Sequence, residues 1–224
     1  MVVVQVRDEE VADAALSTRA AILESARRLF LADGYADVTV ADIASAARVA
    51  VQTVYASTGG KAAILSALVA PAVEDPSVEQ TLTAITRTED PRAVIAITAA
   101  GTRQAHERHW ETNWGLIHRN LAEPSAAAVM EAITAAYVGA LTAVADRLTV
   151  LNALRPELDH AGAFDLLWFF LGESAWMTLV GERGWDFDRA EAWMAGAAQQ
   201  ALLHTPFVPS VDCRCSGRSS ESAT

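Results

Sequence analysis

Two short segments between Thr39 and Lys61 contain side chains that could contact a nucleic acid. Residues 39–44 and residues 49–55 have the spacing of a tight pair of short helices. The second helix bears small and hydrogen-bonding side chains, and such a helix fits a DNA major groove about 12 Å wide. The pattern therefore predicts a helix pair that could bind double-stranded DNA.

A second group of side chains recurs every four residues further along the chain, at His106, Trp110, Trp114 and His118. This spacing drifts by only about 40° per step, so all four would share one side of a helix. An apolar pocket with a few polar groups is the usual form of a small-molecule site. We interpret the four as candidates for a pocket wall; the alternative is a packed core in which the histidines find hydrogen-bond partners.

Other patterns that could support catalysis or metal binding are incomplete. Residues 106–109 lack the H-E-x-x-H spacing, and residues 157–160 give one E-x-x-H where a di-iron bundle needs two. No nucleophile elbow, P-loop or dinucleotide fingerprint is present. Cys213 and Cys215 are too few for a metal site, so a flexible tail is preferred over redox or metal chemistry. The sequence predicts no enzyme, no cofactor and no metal.

The elements that must position these residues are predicted to be helices. Alanine dominates the long segments of a chain that is 52% hydrophobic, and glycine and proline lie mostly between them. Ser17 or Thr18 could cap a first helix, and Thr39 with Asp42 resembles a capping box. Later helix starts are expected at acidic or basic residues followed by proline and, for the last helix, at an aspartate. These starts are Asp75-Pro76, Asp90-Pro91, Glu123-Pro124, Arg155-Pro156 and Asp186 or Asp188.

The expected fold is therefore all-α, with about nine helices in two domains. We predict an N-terminal arm at residues 1–16, a helix-turn-helix domain at 17–70, a larger helical domain at 71–204 and a flexible tail at 205–224. The start of the chain lacks the order of a signal peptide, and the apolar stretch 166–180 is shorter than the roughly 20 residues of a membrane span. A cytoplasmic protein without a membrane partner is expected.

The charge distribution of the chain is compatible with DNA binding but is not evidence for it. The chain has a formal net charge of −11, whereas phosphate neutralisation by basic residues supplies most non-specific DNA affinity. Between Ser17 and Lys61, however, five basic residues stand against four acidic ones. The excess acid thus lies outside the predicted DNA-binding segment.

Residues 17–68, with the run TVADIASAARVAVQTVYASTGGKAAIL, resemble the DNA-binding signature of the TetR (tetracycline-repressor-like) family. The resemblance implies that the third helix reads DNA, with Val51, Gln52 and Tyr55 at base edges. Glutamine can pair with adenine, valine can touch a thymine methyl, and hydroxyl and ammonium groups suit phosphates. By the same resemblance, the phosphate contacts would come from Thr39, Thr53, Ser57 and Lys61, the chain's only lysine.

The segment departs from the family pattern at its turn and at the ends of the third helix. Arg48 replaces the usual turn glycine and could add a phosphate contact, and Ala50 replaces the serine that would cap the helix. Losing that cap costs about 1 kcal/mol of local stability. Ser57 and Thr58 replace two aromatic or bulky residues.

The resemblance also implies a second domain that binds a small molecule and forms a homodimer. Two recognition helices about 34 Å apart would bind a pseudo-palindromic operator. We expect a repressor released by a small hydrophobic or aromatic ligand, with an activator or a regulator without ligand as alternatives. An interaction protein without DNA binding, a ligand carrier or enzyme, and a monomeric bundle also remain open. The candidate dimer residues are Leu167, Phe170, Ser174, Met177 and Gly181.

Overall fold

The computed structural model describes residues 2–118 and 127–204, and its regular elements there are all helices. An isolated bridge between Leu154 and Leu203 is the nearest approach to a strand in these ranges. The prediction of an all-α fold with about nine helices is confirmed. The nine are α1 (Val2–Asp33), α2 (Val40–Ala47), α3 (Val51–Thr58), α4 (Lys61–Val73), α5 (Pro76–Arg87), α6 (Pro91–Arg108), α7 (Ala127–Val150), α8 (His160–Leu171) and α9 (Phe187–Leu202).

Two of these helices have extensions with π-helical geometry. The α6 extension is Glu111–Ile117, and the α8 extension consists of Glu173–Trp176 followed by Met177–Glu182. Gly172 separates α8 from its extension, and a Cβ there would lie 2.2 Å from the Trp168 carbonyl oxygen. Because only glycine avoids that clash, the bend at Gly172 depends on the residue type.

The small N-terminal domain is formed by α1, α2 and α3 with the start of α4. Its core contains side chains from all four helices, including Ile22, Phe30, Ile43, Val54 and Ile64. Leu116 and Ile117 of the α6 extension belong to the same core. The predicted DNA-binding segment is therefore packed directly against the second domain.

The predicted start of the first helix at Ser17 or Thr18 is wrong. Helix α1 begins at Val2, so the segment expected as an arm is helical from there on. Within the helix, the Thr18 hydroxyl donates to the Ala14 carbonyl at 2.9 Å. Serine and threonine can satisfy their hydroxyls on the preceding turn, so their presence does not require a helix to begin.

Most of the other predicted helix boundaries agree with the structure. Thr39 and Asp42 form a capping box at α2, and Asp75, Asp90 and Asp186 are the N-caps of α5, α6 and α9. Arg155-Pro156 does not open a helix, since α8 begins at His160. Glu123-Pro124 lies outside the described residues, as does the tail 205–224.

The second domain is a bundle of α5 to α9 around an apolar core. Helix α8 contributes Leu167 and Leu171, α7 contributes Leu141 and Leu148, and Trp176 of the α8 extension is fully buried. By length and composition, residues 131–150 and 160–182 could each cross a membrane. Within the bundle, 22% and 33% of these two segments, respectively, are buried.

Candidate nucleic-acid interface and ligand cavity

Helix α3 has one face in the core and one in solvent. Val54 is fully buried and Thr58 nearly so, with its hydroxyl donating to the Val54 carbonyl at 2.8 Å. On the opposite side Gln52 is exposed, Val51 is 41% exposed and Tyr55 is 55% exposed. Because these three side chains remain largely exposed in the protomer, they are available to a partner.

The expected phosphate-binding hydroxyls have different surroundings. The Thr39 side chain is occupied in the capping box: its hydroxyl accepts from the Asp42 N–H at 3.2 Å, and the Asp42 carboxylate accepts from the Thr39 N–H at 2.9 Å. The hydrogen bonds from the Thr39 side chain and backbone lower the pKa of Asp42. Thr53 and Ser57 are half-buried.

Arg19 contacts the end of α3, a role that no sequence pattern indicated. Its guanidinium donates to the Ser57 carbonyl at the end of α3. A cation beside the last carbonyls of a helix opposes the negative end of the helix dipole. Arg19 thus fixes α3 to α1.

Lys61, at the first position of α4, is held in place inside the domain. Its ammonium donates to the Ala36 carbonyl at 3.0 Å and lies 4.4 Å from the centre of the Tyr35 ring. A lysine has three donors, so a phosphate contact is compatible with this placement. The phosphate role stays a prediction.

Arg48 occupies the turn between α2 and α3 in a left-handed conformation, with φ of 58°. Residues other than glycine pay roughly 1–2 kcal/mol for this conformation, which explains why glycine is usual at the position. The Arg48 side chain is exposed. It would therefore place a positive charge at the start of the recognition helix.

Ala50 is the N-cap of α3 and makes no side-chain capping bond. We expect Ala50→Ser to raise the free energy of unfolding by about 1 kcal/mol, because a hydroxyl could accept from the N–H of Gln52, or share that of Thr53, which donates to the Ala50 carbonyl at 2.9 Å. Chemical denaturation of the two proteins measures the change. Ala50→Thr should stabilise by a similar or smaller amount; a loss of stability in both variants would contradict the proposed capping geometry.

Asp75 joins the end of the N-terminal domain to α6. Its side chain, only 1% exposed, accepts from Arg108 at 2.7 Å and from His109 Nε2 at 2.6 Å, and its Oδ1 accepts from the Ser77 N–H at 2.8 Å. Burial alone would raise the pKa of Asp75, but the hydrogen bonds from Ser77, His109 and Arg108 lower it well below its usual range. This carboxylate is therefore ionised and fully paired.

A cavity of about 120 Å³ lies between α4, α5, α6 and α7 and the start of the α8 extension. Aliphatic side chains such as Leu82, Leu141 and Val144 form most of its wall. The polar lining consists of Thr81, Thr98, Thr102, His106, Asn113, Tyr137 and Glu173.

His106 stands in a chain of hydrogen bonds at the edge of this cavity. The Tyr137 hydroxyl donates to the Leu171 carbonyl at 2.9 Å and lies 3.3 Å from His106 Nε2, while Asn113 Nδ2 lies 3.4 Å from His106 Nδ1. Nε2 therefore donates to the Tyr137 oxygen and Nδ1 accepts from the Asn113 amide. Burial, with a smaller effect of His109, lowers the pKa of His106 to about 3, so its ring is neutral.

The expected four-residue pocket wall is only partly brought together. His106 lines the cavity, whereas Trp110, Trp114 and His118 stack on one another with ring centres 5.7 and 4.7 Å apart. The prediction assumed one regular helix, but α6 ends at Arg108 and π-helical geometry follows. The stack packs elsewhere, since a Cβ at Gly181 would lie 2.2 Å from the Trp114 ring.

The dimer prediction is wrong for Leu167 and Met177. Leu167 is fully buried and Met177 is 2% exposed within a single protomer, so neither can form a seam between two copies. Phe170 and Gly181 are half-buried and Ser174 is exposed. The large exposed apolar side chains of α8 and α9 are instead Phe169, at 70%, and Trp193, at 51%.

Metal binding finds no support in the part of the chain that the structure describes. No group of three or more histidine, cysteine, aspartate or glutamate side chains there could hold a metal ion. Cys213 and Cys215 lie outside the described residues.

Comparisons with known proteins agree with the geometry. Residues 22–68 match the family described as bacterial regulatory proteins, tetR family, while no curated protein matches the chain. NalD, the secondary repressor of the MexAB-OprM multidrug efflux pump in Pseudomonas aeruginosa, is 20% identical with a TM-score of 0.67, over 85% of this chain and 98% of NalD.

Two further solved structures share the fold and contain ligands. The SmeT–triclosan complex is 19% identical with a TM-score of 0.63, over 87% of this chain and 96% of SmeT. FadR from Bacillus subtilis in complex with stearoyl-CoA is 16% identical with a TM-score of 0.62, over 83% of this chain and 99% of FadR. The similarity therefore includes the second domain as well as the DNA-binding segment.

Proposed function

We propose that this chain is a DNA-binding transcriptional regulator of the tetR kind, a homodimeric repressor released from its operator by a small hydrophobic or aromatic ligand. The observation that supports DNA reading most directly is the outer face of α3, where Val51, Gln52 and Tyr55 are exposed above a buried Val54. Side chains of this kind suit base edges in a major groove. The regulator would act in the cytoplasm, where its DNA is.

The contacts to the operator would divide into two kinds. Val51, Gln52 and Tyr55 would read bases, and phosphates would be held by residues around them. A phosphate could contact Thr39 on the exposed side of the capping box. Lys61 would bind a phosphate with the ammonium hydrogens that it does not donate to the Ala36 carbonyl. The remaining phosphate contacts would come from Arg48, Thr53 and Ser57.

Selection of duplexes from a random pool tests this proposal. Tyr55→Ala should bind the selected operator about 1–3 kcal/mol more weakly and show a relaxed base preference, because a base contact is lost. Lys61→Ala should weaken binding to all sequences alike and reduce the salt dependence, because a phosphate contact is lost. Fluorescence anisotropy at several salt concentrations measures both effects.

Two controls make the result decisive. Lys61 also contacts Ala36 and Tyr35, so each variant is compared with the wild type by circular dichroism and thermal unfolding. Val150→Ala, at a 74% exposed position at the end of α7, should bind like the wild type. Failure of the folded wild-type protein to bind any duplex at low salt would overturn the proposal and favour an interaction protein.

The ligand would occupy the cavity beside His106 and Tyr137. SmeT and FadR hold triclosan and stearoyl-CoA, respectively, which makes a small-molecule effector the natural proposal for the shared fold. In this chain the cavity is bounded by Ala72 and Val73 at the end of α4, the helix that begins at Lys61 beside the recognition helix. A ligand that moves this wall would change the spacing of the two recognition helices and weaken DNA binding by roughly 1–3 kcal/mol.

A further inference from the structure

Glu173 is an acidic side chain in the apolar cavity, and it has no partner among the residues that the structure describes. It lines the cavity at the start of the α8 extension and is half-buried. Among the described residues, no hydrogen bond or ion pair reaches its carboxylate. A carboxylate that is partly removed from water is destabilised when it has no partner, so such a group in a cavity suits a site that a bound ligand completes.

Four of the other polar groups of the lining direct their donors to acceptors other than Glu173. The hydroxyls of Thr98 and Thr102 donate to carbonyls of their own helix at 2.8 and 3.0 Å. His106 and Tyr137 donate along the chain that ends at the Leu171 carbonyl. These four side chains thus supply no donor to Glu173, and no hydrogen bond to it is found from Thr81 or Asn113, the remaining polar residues of the described lining.

No cationic side chain balances Glu173 either. The lining contains no lysine or arginine among the residues that the structure describes. Arg103, which follows Thr102 on α6, is held by Asp188 at 2.5 Å and Glu191 at 3.0 Å. Among the residues that the structure describes, the site therefore has one acidic group and otherwise neutral walls.

Building on the proposed function, we propose that the effector is a small organic cation, a protonated amine on an aromatic or apolar body, with its ammonium group against Glu173. The amine would supply the missing charge and donors, and the aliphatic walls would bury the body. Burial raises the pKa of Glu173, and a bound cation would oppose that shift. A cavity of 120 Å³ is close to the size that accepts one benzene ring.

Three probes with the same ring separate charge from shape: benzylamine as the cation, benzyl alcohol as the neutral isostere and benzoate as the anion. Their affinities for the purified protein without DNA are measured by calorimetry at neutral pH. We expect benzylamine to bind at least about tenfold more tightly than benzyl alcohol, and benzoate to bind most weakly. Glu173→Gln should remove the preference for the amine while keeping the affinity for the alcohol.

Glu182→Gln is the matched control, since Glu182 is an exposed carboxylate at the end of the same α8 extension and does not line the cavity. It should leave all three affinities unchanged. Equal binding of amine and alcohol by the wild type, or an amine preference that survives Glu173→Gln, would overturn the inference alone. Absence of binding by all three probes would overturn both the inference and the ligand part of the proposed function, whereas operator binding tests DNA recognition separately.

Discussion

Replacing Asp75 by alanine should lower the free energy of unfolding by about 3 kcal/mol. Of this, about 1 kcal/mol is the lost N-cap of α5, and the rest comes from the charged hydrogen bonds of Arg108 and His109. Asp75→Asn should cost about 2 kcal/mol, because the amide oxygen can still accept from the Ser77 N–H but the charge is gone. Denaturant unfolding of the two variants measures both losses.

Asp90 provides a matched control for Asp75. It too is an N-cap followed by proline, and it accepts from the Arg92 N–H at 2.9 Å, but it is exposed and has no cationic partner among the described residues. Asp90→Ala should therefore cost only about 1 kcal/mol. Equal losses for the two alanine variants would show that the ion pairs contribute nothing.

The loss caused by Asp75→Asn should also depend on pH. The folded pKa of Asp75 lies below the unfolded value of about 3.9, so its stabilisation is present above about pH 4 and is lost as the pH falls further. The difference between wild type and variant should therefore begin to shrink below about pH 5 and keep shrinking as the pH falls toward the folded pKa. A difference independent of pH would mean that the charge of Asp75 is not what stabilises the junction.

Helix boundaries were predicted correctly from the sequence where the residue pattern has a single structural interpretation. Thr39 with Asp42 forms the expected capping box, and the aspartate-proline pairs at 75 and 90 open helices. Ser17 and Thr18 failed as a helix start because a threonine hydroxyl can also bond to the turn before it, as Thr18 does. The helix boundaries of the predicted DNA-binding segment depend mostly on patterns with a single interpretation.

The site in the second domain was harder to predict because it depends on irregular helices. Four-residue spacing places side chains on one face only while the helix stays α-helical, and α6 becomes π-helical before Trp114. His106 therefore points to the cavity and Trp114 to Gly181. Glu173 was visible in the sequence only as a charge in an apolar stretch, and its placement requires the bend at Gly172.

The proposed dimer gives the largest expected functional effect. Helices α8 and α9 pack against each other, and each has one exposed aromatic side chain, Phe169 and Trp193. Large aromatic residues at the centre of an interface each contribute about 2–4 kcal/mol, and a glutamate in their place would bury a charge. We expect Trp193→Glu, and likewise Phe169→Glu, to be monomeric in sedimentation experiments.

A monomer should also lose most of its affinity for the operator. Two linked recognition helices gain roughly 10²- to 10⁴-fold in affinity over one, so Trp193→Glu should bind a full operator at least about 100-fold more weakly. Its affinity for a half-site should remain that of the wild type, because α3 is unchanged. Val150→Glu places the same charge on an exposed apolar position of α7 and should remain dimeric. If Trp193→Glu and Phe169→Glu were both dimeric with full operator affinity, the two protomers would have to meet through another face.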